Sequence, residues 1–241
     1  MDPADVESLE RATIAAVAPR EVLEIDGWLA AFDDGVISRA KSAVPLRHDA
    51  TPQALPAIFA AYEARRLPPA FRIADTEGLQ AVREDLGRRG LSVAQTTIVM
   101  TAPAQQVASF AVPFADLLDH PDEAWGKVFL DPSFDPVDGA QRVAALTRSP
   151  GALYGAVREG GRTVAVGVVS FGYGWASVHG MRTIAERRGG GMASRLLALF
   201  GTAAMARGAP RIFLQVEETN PARNLYARAG FELAWTYRYW R

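Results

Sequence analysis

The sequence predicts an α+β fold in which helices alternate with strands, several of which are antiparallel. Two observations predict it. Residues 152–183 contain three β-like runs joined by tight turns, and a glycine-rich loop then leads into a helix with one apolar stripe. The chain has 241 residues, of which 49% are hydrophobic and 22% charged, so it can bury a core without disulfides or metal ions.

The composition excludes several kinds of site and partner. There is no cysteine, which rules out disulfides, thiolate metal sites and a cysteine nucleophile, and the three histidines are too far apart for a histidine-rich metal centre. A net charge of −1 provides no field of one sign to attract nucleic acid or an anionic membrane. Because neither a secretory signal nor an apolar run of about 18 residues is found, we expect a cytoplasmic protein with no membrane anchor.

The first half is predicted to begin with a helix over residues 4–17 and a hairpin whose strands, 22–32 and 36–44, meet at Asp33-Asp34-Gly35. Asp-Gly between two β-like runs is a strong hairpin signal. Thr51 is expected to cap the next helix. The elements that follow are a helix over 51–66, a strand over 70–74, a helix over 76–89, a strand over 91–101 and a linker over 101–106.

The second half is predicted to start with a strand over 107–112 and two helices between residues 113 and 148, separated by an Asp- and Pro-rich break at 131–136. Asn220 as cap and Pro221 at the first helical position are expected to start the last helix. The remaining elements are strands over 152–158, 163–172 and 175–183, a helix over 192–207, a strand over 211–217, a helix from 220 to 230 and a strand over 231–239.

The two halves of the chain share an order of elements. Helix, strand, helix, glycine and strand follow one another both after Val44 and after Thr183, over stretches of nearly equal length. This pattern indicates a duplicated half-domain. Coincidence is the alternative, because β-α-β-α order is common.

The glycine-rich loop, residues 187–194, contains the strongest functional signal. Its three glycines let the backbone turn tightly and approach a ligand closely. The helix that follows offers unpaired N–H groups and the positive end of its dipole, and Arg187 and Arg188 could bind phosphate oxygens. The pattern predicts a phosphate or diphosphate site, with a flexible surface turn as the alternative. The loop lacks the lysine of a Walker motif and the glycine spacing of a dinucleotide-binding fingerprint.

Two motifs together resemble the GCN5-related N-acetyltransferase (GNAT) superfamily. Its acyl-CoA loop, Gln/Arg-x-x-Gly-x-Gly/Ala, is matched by Arg188-x-x-Gly191-x-Ala193. Its later signature, Asn-x-x-Ala-x-x-Leu-Tyr-x-x-x-Gly-Phe, is matched from Asn220 to Phe231 with the alanine one place early. The resemblance covers about residues 107–241. It implies a central, mostly antiparallel mixed sheet flanked by helices.

The first half then resembles the truncated N-terminal unit of tandem acetyltransferases, so residues 1–105 are expected to form a degenerate GNAT-like domain and residues 106–241 the GNAT domain. The implied activity is direct transfer of an acyl group, most often acetyl, from acyl-CoA to a primary amine of a small molecule or peptide. The enzyme would be a monomer or homodimer and would need no metal. A non-catalytic acyl-CoA sensor and an O-acyltransferase stay open as alternatives.

The resemblance also implies which residues hold the coenzyme. Backbone groups of Met181 and Thr183 would pair with the pantetheine arm, and Asn220 would lie near that arm or the sulfur. Residues of the glycine-rich loop and the first helical turn after it would hold the diphosphate. These are Arg187, Arg188, Gly189, Gly190, Gly191, Met192, Ala193 and Ser194.

Three residues are candidates for the proton transfers. The resemblance implies that Tyr226 donates a proton to the departing thiolate, since the pKa values of a phenol and a thiol, about 10 and 8.5, lie close together. The resemblance also implies that His179 acts as a base or water-linked relay, as a histidine at this strand position does in some aralkylamine members, and on an alternating strand it would share a face with Met181 and Thr183. Glu217, at a strand end, is the rival base. The structural alternatives are a packed tyrosine, a packed or surface histidine and a solvated strand end.

The resemblance implies that the acceptor binds beside the first two helices of the second half, whose acidic residues would attract a cationic amine. A solvated helical face explains the same residues. They are Asp116, Asp119, Asp122, Glu123, Asp131, Asp135 and Asp138. In the first half, residues 45–50 contain no glycine and Leu86 stands in the place of Tyr226, which predicts one working site and leaves the first half to wall the acceptor cleft. The candidate wall residues are Trp28, Arg39 and Arg47.

Overall fold

Eight α-helices and eleven strands alternate in the computed structural model, which describes residues 1–133 and 135–241. Phe134, within the break predicted at 131–136, lies outside the described residues. The helices are α1 (Pro3–Val17), α2 (Leu55–Ala64), α3 (Gln80–Arg88), α4 (Ala104–Ala108), α5 (Glu123–Lys127), α6 (Pro136–Leu146), α7 (Met192–Ala206) and α8 (Ala222–Arg228). The strands are β1 (Glu21–Ile25), β2 (Trp28–Phe32), β3 (Ala43–Pro45), β4 (Phe71–Ala74), β5 (Val93–Pro103), β6 (Asp116–Leu118), β7 (Leu153–Glu159), β8 (Arg162–Gly172), β9 (Trp175–Thr183), β10 (Arg211–Glu217) and β11 (Glu232–Trp240).

All of these strands join one sheet in the order β1-β2-β3-β4-β11-β5-β10-β9-β8-β7-β6. Neighbours are antiparallel except in two pairs, β3 with β4 and β9 with β10. Helices cover both faces, so the predicted mixed, mostly antiparallel sheet is confirmed. Among the described helices, none is long and apolar enough to cross a membrane.

Helices α1 and α7 lie on opposite faces of the sheet. Gly155 and Gly167 are cross-strand partners on β7 and β8, and a Cβ at either would meet the ring of Phe200 on α7. On the other face of β8, the Ser149 hydroxyl lies within donating distance of the Ser170 hydroxyl, at 3.0 Å, and of the Ala15 carbonyl oxygen of α1, at 3.4 Å. Helix α7 therefore covers one face of these strands, while α1 lies over the other, where Trp125 and Leu146 of the second half also contact Tyr154.

The predicted hairpin turn at residues 33–35 is wrong. Strands β1 and β2 form the hairpin, and Asp26-Gly27 is its two-residue turn, with φ of 45° and 78°. Positive φ at both central residues is what a type I′ hairpin turn requires, and Asp-Gly supplies it. At the second Asp-Gly, the Asp33 carboxylate accepts the Gly35 N–H at 2.7 Å, which ends β2 in a local turn. The chain then enters a 3-10 turn, Ser38–Lys41, instead of the predicted strand.

The predicted linker at residues 101–106 and the predicted strand at 107–112 are also wrong. Strand β5 continues to Pro103 and lies between β10 and β11, and α4 follows at once. The predicted end of the strand is residue 101, two residues before Pro103, because proline has no N–H for strand pairing. Pro103 is instead the last residue of the strand, a position where the missing N–H costs little. The domain boundary at 105/106 stays a prediction.

Two predicted helices begin differently from expectation. A 3-10 turn, Pro52–Ala54, precedes α2, and the Thr51 side chain makes no capping hydrogen bond. A second 3-10 turn, Glu77–Leu79, precedes α3. The 3-10 turns are short connectors that tighten a helix start. The first of the two helices predicted between residues 113 and 148 is partly wrong, because strand β6 occupies residues 116–118 and α5 spans only Glu123–Lys127. Strand β10 has the predicted bounds, and the remaining predicted helices and strands from residue 136 onward are found within a few residues of their predicted ends.

We expect Gly201→Ala to destabilise the protein by about 1–3 kcal/mol, because α4 crosses α7 there. A Cβ at Gly201 would lie 2.4 Å from the Ala108 nitrogen and 2.8 Å from the Ala104 oxygen, both backbone atoms that cannot rotate away. Urea denaturation measures the effect. The matched control is Gly87→Ala in α3, where the nearest atom to an added Cβ is 4.0 Å away. That variant should be neutral or stabilised by up to about 1 kcal/mol, and equal losses in the two variants would contradict the tight α4–α7 contact.

Candidate active site

The site begins where two parallel strands separate. The strands β9 and β10 are paired from Trp175 with Arg211 as far as Val178 with Leu214. Beyond that point β9 stays paired with β8, and β10 stays paired with β5 as far as Glu217. We call the space between the two strands beyond this point the strand gap. It is the separation that the resemblance implies, and it leaves backbone groups of both strands without their parallel partner.

A β-bulge at Gly180 accompanies the separation. The register between β8 and β9 shifts here, so that His179 lies opposite Val168 whereas Arg182 lies opposite Val166. Gly180 has φ of +62°, and a Cβ would come within 2.9 Å of the Leu146 side chain. The extra residue bends β9, and only glycine fits both the backbone angle and the space.

The bulge corrects one prediction about side-chain faces. Cross-strand partners share a face of the sheet, so Arg182 lies on the face of His179 and Thr183, opposite Ala165, lies on the other. Met181 also lies on the other face, where its sulfur approaches Gly167 beside α7. The predicted common face of His179, Met181 and Thr183 is therefore wrong, since strict alternation does not survive an inserted residue.

A cleft of about 1060 Å³ runs through the strand gap and opens on both faces of the sheet. It brings together nearly all of the predicted site residues from β9, the glycine-rich loop, β10 and α8. Gly190 belongs to the same loop but does not line the cleft. The predicted residues in the lining are His179, Met181, Thr183, Arg187, Arg188, Gly189, Gly191, Met192, Ala193, Ser194, Glu217, Asn220 and Tyr226.

The glycine-rich loop ends at an uncapped helix start. Gly189 and Gly191 have φ of +78° and +79°, and no atom lies within 4 Å of a Cβ added at either position. Gly191 is the N-cap of α7, and no side chain bonds to the first-turn N–H groups. Backbone donors, the helix dipole and open space thus meet at one point, which is the arrangement that binds phosphate groups.

Two arginines of this loop flank the helix start. The Arg187 guanidinium donates to the Glu159 carboxylate at 3.0 Å, and both side chains are partly exposed. Arg188 reaches back to the Thr183 carbonyl oxygen at 3.4 Å and to the Ser133 hydroxyl at 3.5 Å. Both arginines therefore lie along the cleft wall beside the uncapped turn.

Tyr226 lies on α8 and faces the cleft beside the strand gap. Its ring packs against the Phe231 ring with centroids 6.1 Å apart, and the residue is 9% exposed. Burial raises the pKa of the Tyr226 phenol, so this group carries its proton at neutral pH. Asn220 holds the start of α8, because its side-chain oxygen accepts the Ala222 N–H at 2.9 Å.

The two candidate bases have different surroundings. The His179 Nε2 lies 3.0 Å from the Ser170 hydroxyl, which in turn lies 3.0 Å from the Ser149 hydroxyl. Burial, and secondarily the charge of Arg39, lowers the pKa of His179 to about 3, so the imidazole is neutral at neutral pH. Glu217 is exposed at the cleft mouth, where β10 ends. Which of the two removes a proton stays a prediction.

The first half supplies one wall of the cleft, as predicted, but with residues of which only one was predicted. Arg39 lines the cleft, whereas Trp28 is buried in the first-half core against Phe71, and Arg47 pairs with Asp49. Several polar lining residues missed by the sequence analysis lie on strands, and on β5 and β11 they alternate, a pattern that indicates only a half-buried strand. They are Gln95, Thr97, Gln215, Tyr237 and Tyr239.

The predicted acidic acceptor surface is wrong. Asp116 and Asp122 both bind Arg158, and Asp138 binds Arg142. Three more have local roles: Glu123 pairs with Lys127, Asp131 accepts from Ser133, and Asp135 caps α6. None of the predicted carboxylates lines the cleft, whose charged lining among the described residues consists of Arg39, Arg142, Arg182, Arg187, Arg188, Arg228 and Glu217.

We expect the buried neutral His179 to make stability fall in acid. The unfolded chain takes up the proton near pH 6.5 and the folded protein only near pH 3, so the free energy of unfolding falls as the pH drops from 6.5 toward 3. The contribution is at most about 1.4 kcal/mol per pH unit. Urea denaturation of wild type and His179→Gln should therefore show a difference that shrinks with falling pH.

The control for this prediction is Ser170→Ala, which removes the hydroxyl bonded to His179 but keeps the titrating ring. Its stability should decline in acid as the wild type does, at a lower overall level. A His179→Gln variant with an unchanged slope would show that His179 does not titrate across this range.

Comparison with known proteins agrees with this geometry. A family model described as "Probable histone acetyltransferase Rv0428c C-terminal" matches residues 3–240. No curated protein sequence matches the chain.

Several solved structures share the fold at low sequence identity. A GCN5-related N-acetyltransferase from Kribbella flavida has a TM-score of 0.71 and 15% identity over 98% of this chain and 94% of that chain. A GCN5-related N-acetyltransferase from Sphaerobacter thermophilus has a TM-score of 0.58 and 15% identity over 100% of this chain and 93% of that chain. A tandem GNAT protein from the clavulanic acid biosynthesis pathway has a TM-score of 0.61 and 13% identity over 98% of this chain and 94% of that chain. With a family model that matches almost its whole length, the chain belongs to the Rv0428c C-terminal family and to the GNAT superfamily.

Proposed function

We propose that this protein is an acyl-CoA-dependent N-acyltransferase that uses acetyl-CoA and a primary amine of a small molecule or peptide. The observation that carries the proposal is the single cleft that joins the uncapped start of α7, the strand gap and Tyr226. A diphosphate site, an opening for an extended arm and a proton donor are the three features that this transfer needs. The GNAT fold supports acetyl transfer as the general reaction.

The residues present fit the coenzyme. The first-turn N–H groups of α7 have no side-chain cap, and the positive φ values of Gly189 and Gly191 leave the backbone open to a diphosphate. Arg187 and Arg188 lie beside it and would add charge-assisted hydrogen bonds. In the strand gap, backbone groups at Met181 and Thr183 would pair with the pantetheine arm in place of β10.

When bound, acetyl-CoA supplies a thioester whose carbonyl carbon is open to attack by an amine. The chain would exclude water from this carbon and move two protons. A C–N bond forms, the C–S bond breaks, the amine loses one proton, and Tyr226 gives one proton to the leaving sulfur. Burial keeps the Tyr226 phenol protonated until then.

The proton of the amine can leave by two routes. Glu217, exposed at the cleft mouth, could take it through water. His179 lies directly at the strand gap, but its low pKa makes it a weak acceptor that would act as a relay. The weak basicity of His179 is also the observation that favours the second candidate function, a non-catalytic acyl-CoA sensor that uses the glycine-rich loop and needs neither base nor acid.

We expect Gly190→Asp to weaken coenzyme A binding by about tenfold or more, because its carboxylate would repel the diphosphate. Gly190→Ala places the same Cβ, 3.2 Å from the Met192 methyl carbon, without the charge and is the matched control. Calorimetric titration of coenzyme A into both variants measures the difference. Equal affinities in the two variants would place the diphosphate elsewhere, and an absence of binding to the wild type would remove the proposed function.

We expect Tyr226→Phe to lower kcat by about 100-fold while the affinity for coenzyme A changes little, because only the proton donor is lost. The assay is release of free thiol from acetyl-CoA over a panel of amines that includes amino acids, simple alkylamines and a lysine peptide. Tyr173→Phe, on an exposed turn, is the control with the same chemical change. An unchanged kcat in Tyr226→Phe would exclude this residue from the mechanism, and no thiol release with intact coenzyme binding would favour the sensor.

A further inference from the structure

Polar side chains from three separate parts of the chain meet at the inner end of the strand gap. Gln215 is the first residue of β10 beyond the paired region. Its side-chain oxygen accepts from the Arg39 guanidinium at 3.3 Å and from the Tyr237 hydroxyl at 2.9 Å. The Tyr239 hydroxyl lies 3.4 Å from that of Tyr237. We call this group, Arg39, Gln215, Tyr237 and Tyr239, the inner cluster.

The inner cluster lies on the α1 face of the sheet, away from the diphosphate site. The Gln215 amide donates to the Thr13 hydroxyl of α1 at 2.9 Å, which fixes the face. His179 and Arg39 both line a small cavity of about 10 Å³ next to Gln215. The glycine-rich loop leads into α7 on the opposite face. Arg39 therefore stands across the strand gap from Arg187 and Arg188, where an acceptor rather than the diphosphate would approach the thioester.

Arg39 has no carboxylate partner among the described residues. The nearby Glu10 carboxylate is buried and bound in an ion pair to Arg72. Arg39 itself makes one hydrogen bond, to the neutral amide oxygen of Gln215, within the part of the chain described. A half-buried guanidinium with free donors in a planar array is well matched to a carboxylate, which can accept two parallel hydrogen bonds.

The other residues that line the cleft beside the inner cluster limit the size and polarity of an acceptor. Val17, Val36 and Ile37 line it from the first half beside Arg39. Glu217 is the one acidic side chain in the cleft lining among the described residues, and it lies two residues beyond Gln215 on the same face of β10. Beside Gln215 the cleft thus offers Arg39, several hydroxyl and amide groups and an apolar wall, whereas Arg142 and Arg182, which also line the cleft, both lie beside Asp138.

We propose that the acceptor is a small amine that also carries a carboxylate, and that Arg39 binds this carboxylate, with free α-amino acids as the simplest members of the class. This inference rests on the proposed function, because it names the acceptor of the same reaction. When the carboxylate of an α-amino acid binds Arg39, the amino nitrogen, which is two bonds from the carboxyl carbon, would lie beside His179 and the strand gap. The apolar wall would receive the side chain.

The test uses the full-length protein and matched acceptors that differ only in the carboxylate. The pairs are phenylalanine with phenylalaninamide and phenethylamine, and leucine with leucinamide and 3-methylbutylamine, each assayed by thiol release from acetyl-CoA. We expect kcat/KM to be about 10- to 100-fold higher for the acid of each set, the range expected for one charged hydrogen-bonded contact. Nα-acetyl-lysine amide represents a lysine side chain in a peptide and should be poor.

Variants assign the preference to Arg39. Arg39→Gln should abolish the ratio between acid and neutral amine, and Arg39→Lys should retain part of it, because an ammonium keeps the charge but not the planar array. Arg47→Gln is the matched control, since it removes an exposed arginine of the same half that lies outside the cleft. Its ratio should equal that of the wild type.

The outcomes separate this inference from the proposed function. Equal use of acids and neutral amines, preference for the lysine derivative, or no turnover of any acid by a protein that binds coenzyme A would overturn the carboxylate class and leave the coenzyme site standing. A ratio that survives Arg39→Gln would overturn the role of Arg39. Calorimetric titration of phenylalanine into wild type and Arg39→Gln needs no coenzyme, so it tests Arg39 even if acetyl-CoA does not bind.

Discussion

The separation of β9 from β10 is the constraint on which the site depends. Both strands keep a second partner beyond the separation, β8 for one and β5 for the other, so the gap opens without leaving an unsupported edge. The bulge at Gly180 bends β9 at this point, and the Leu146 side chain fills the space that a Cβ would need. Every functional group described here is positioned relative to this gap. The uncapped helix start lies on one face, the inner cluster on the other, and Tyr226 beside the opening.

The two halves of the chain hold the gap open by sharing strands. Strand β5 of the first half lies between β10 and β11 of the second, and β11 lies between β5 and β4. The two parallel pairs, β3–β4 and β9–β10, stand at equivalent distances on either side of the central β11–β5 pair. This exchange supports the interpretation of a duplicated half-domain, which stays a prediction. Its physical consequence is that neither half could present the cleft without the other.

Charge is distributed in a way that local sequence could not show. The acidic residues of α5 and α6 are close in sequence to the site, yet their carboxylates are occupied by Arg158, Lys127 and Arg142 or by helix N-termini. Exposed pairs of this kind contribute little to stability. Because these carboxylates are bound elsewhere, the charged side chains that line the cleft, among the described residues, are arginines with the single exception of Glu217. Arg39, brought in from the first half, is the one that lies beside Gln215 at the inner end of the gap.

The sequence by itself determined the elements from residue 136 onward, the glycine-rich loop, the last helix with Tyr226 and the membership of the superfamily. These depend on local physics: apolar spacing sets a helix face, glycine allows positive φ, and a motif keeps its residues together on one element. Only the tertiary structure decided which Asp-Gly made the hairpin, where β5 entered the sheet, that Gly180 inserts a bulge between His179 and Met181, and that Arg39 and Gln215 meet. These depend on pairing between segments far apart in the chain, and the free energy of such contacts is set by neighbours that a single stretch of sequence does not contain.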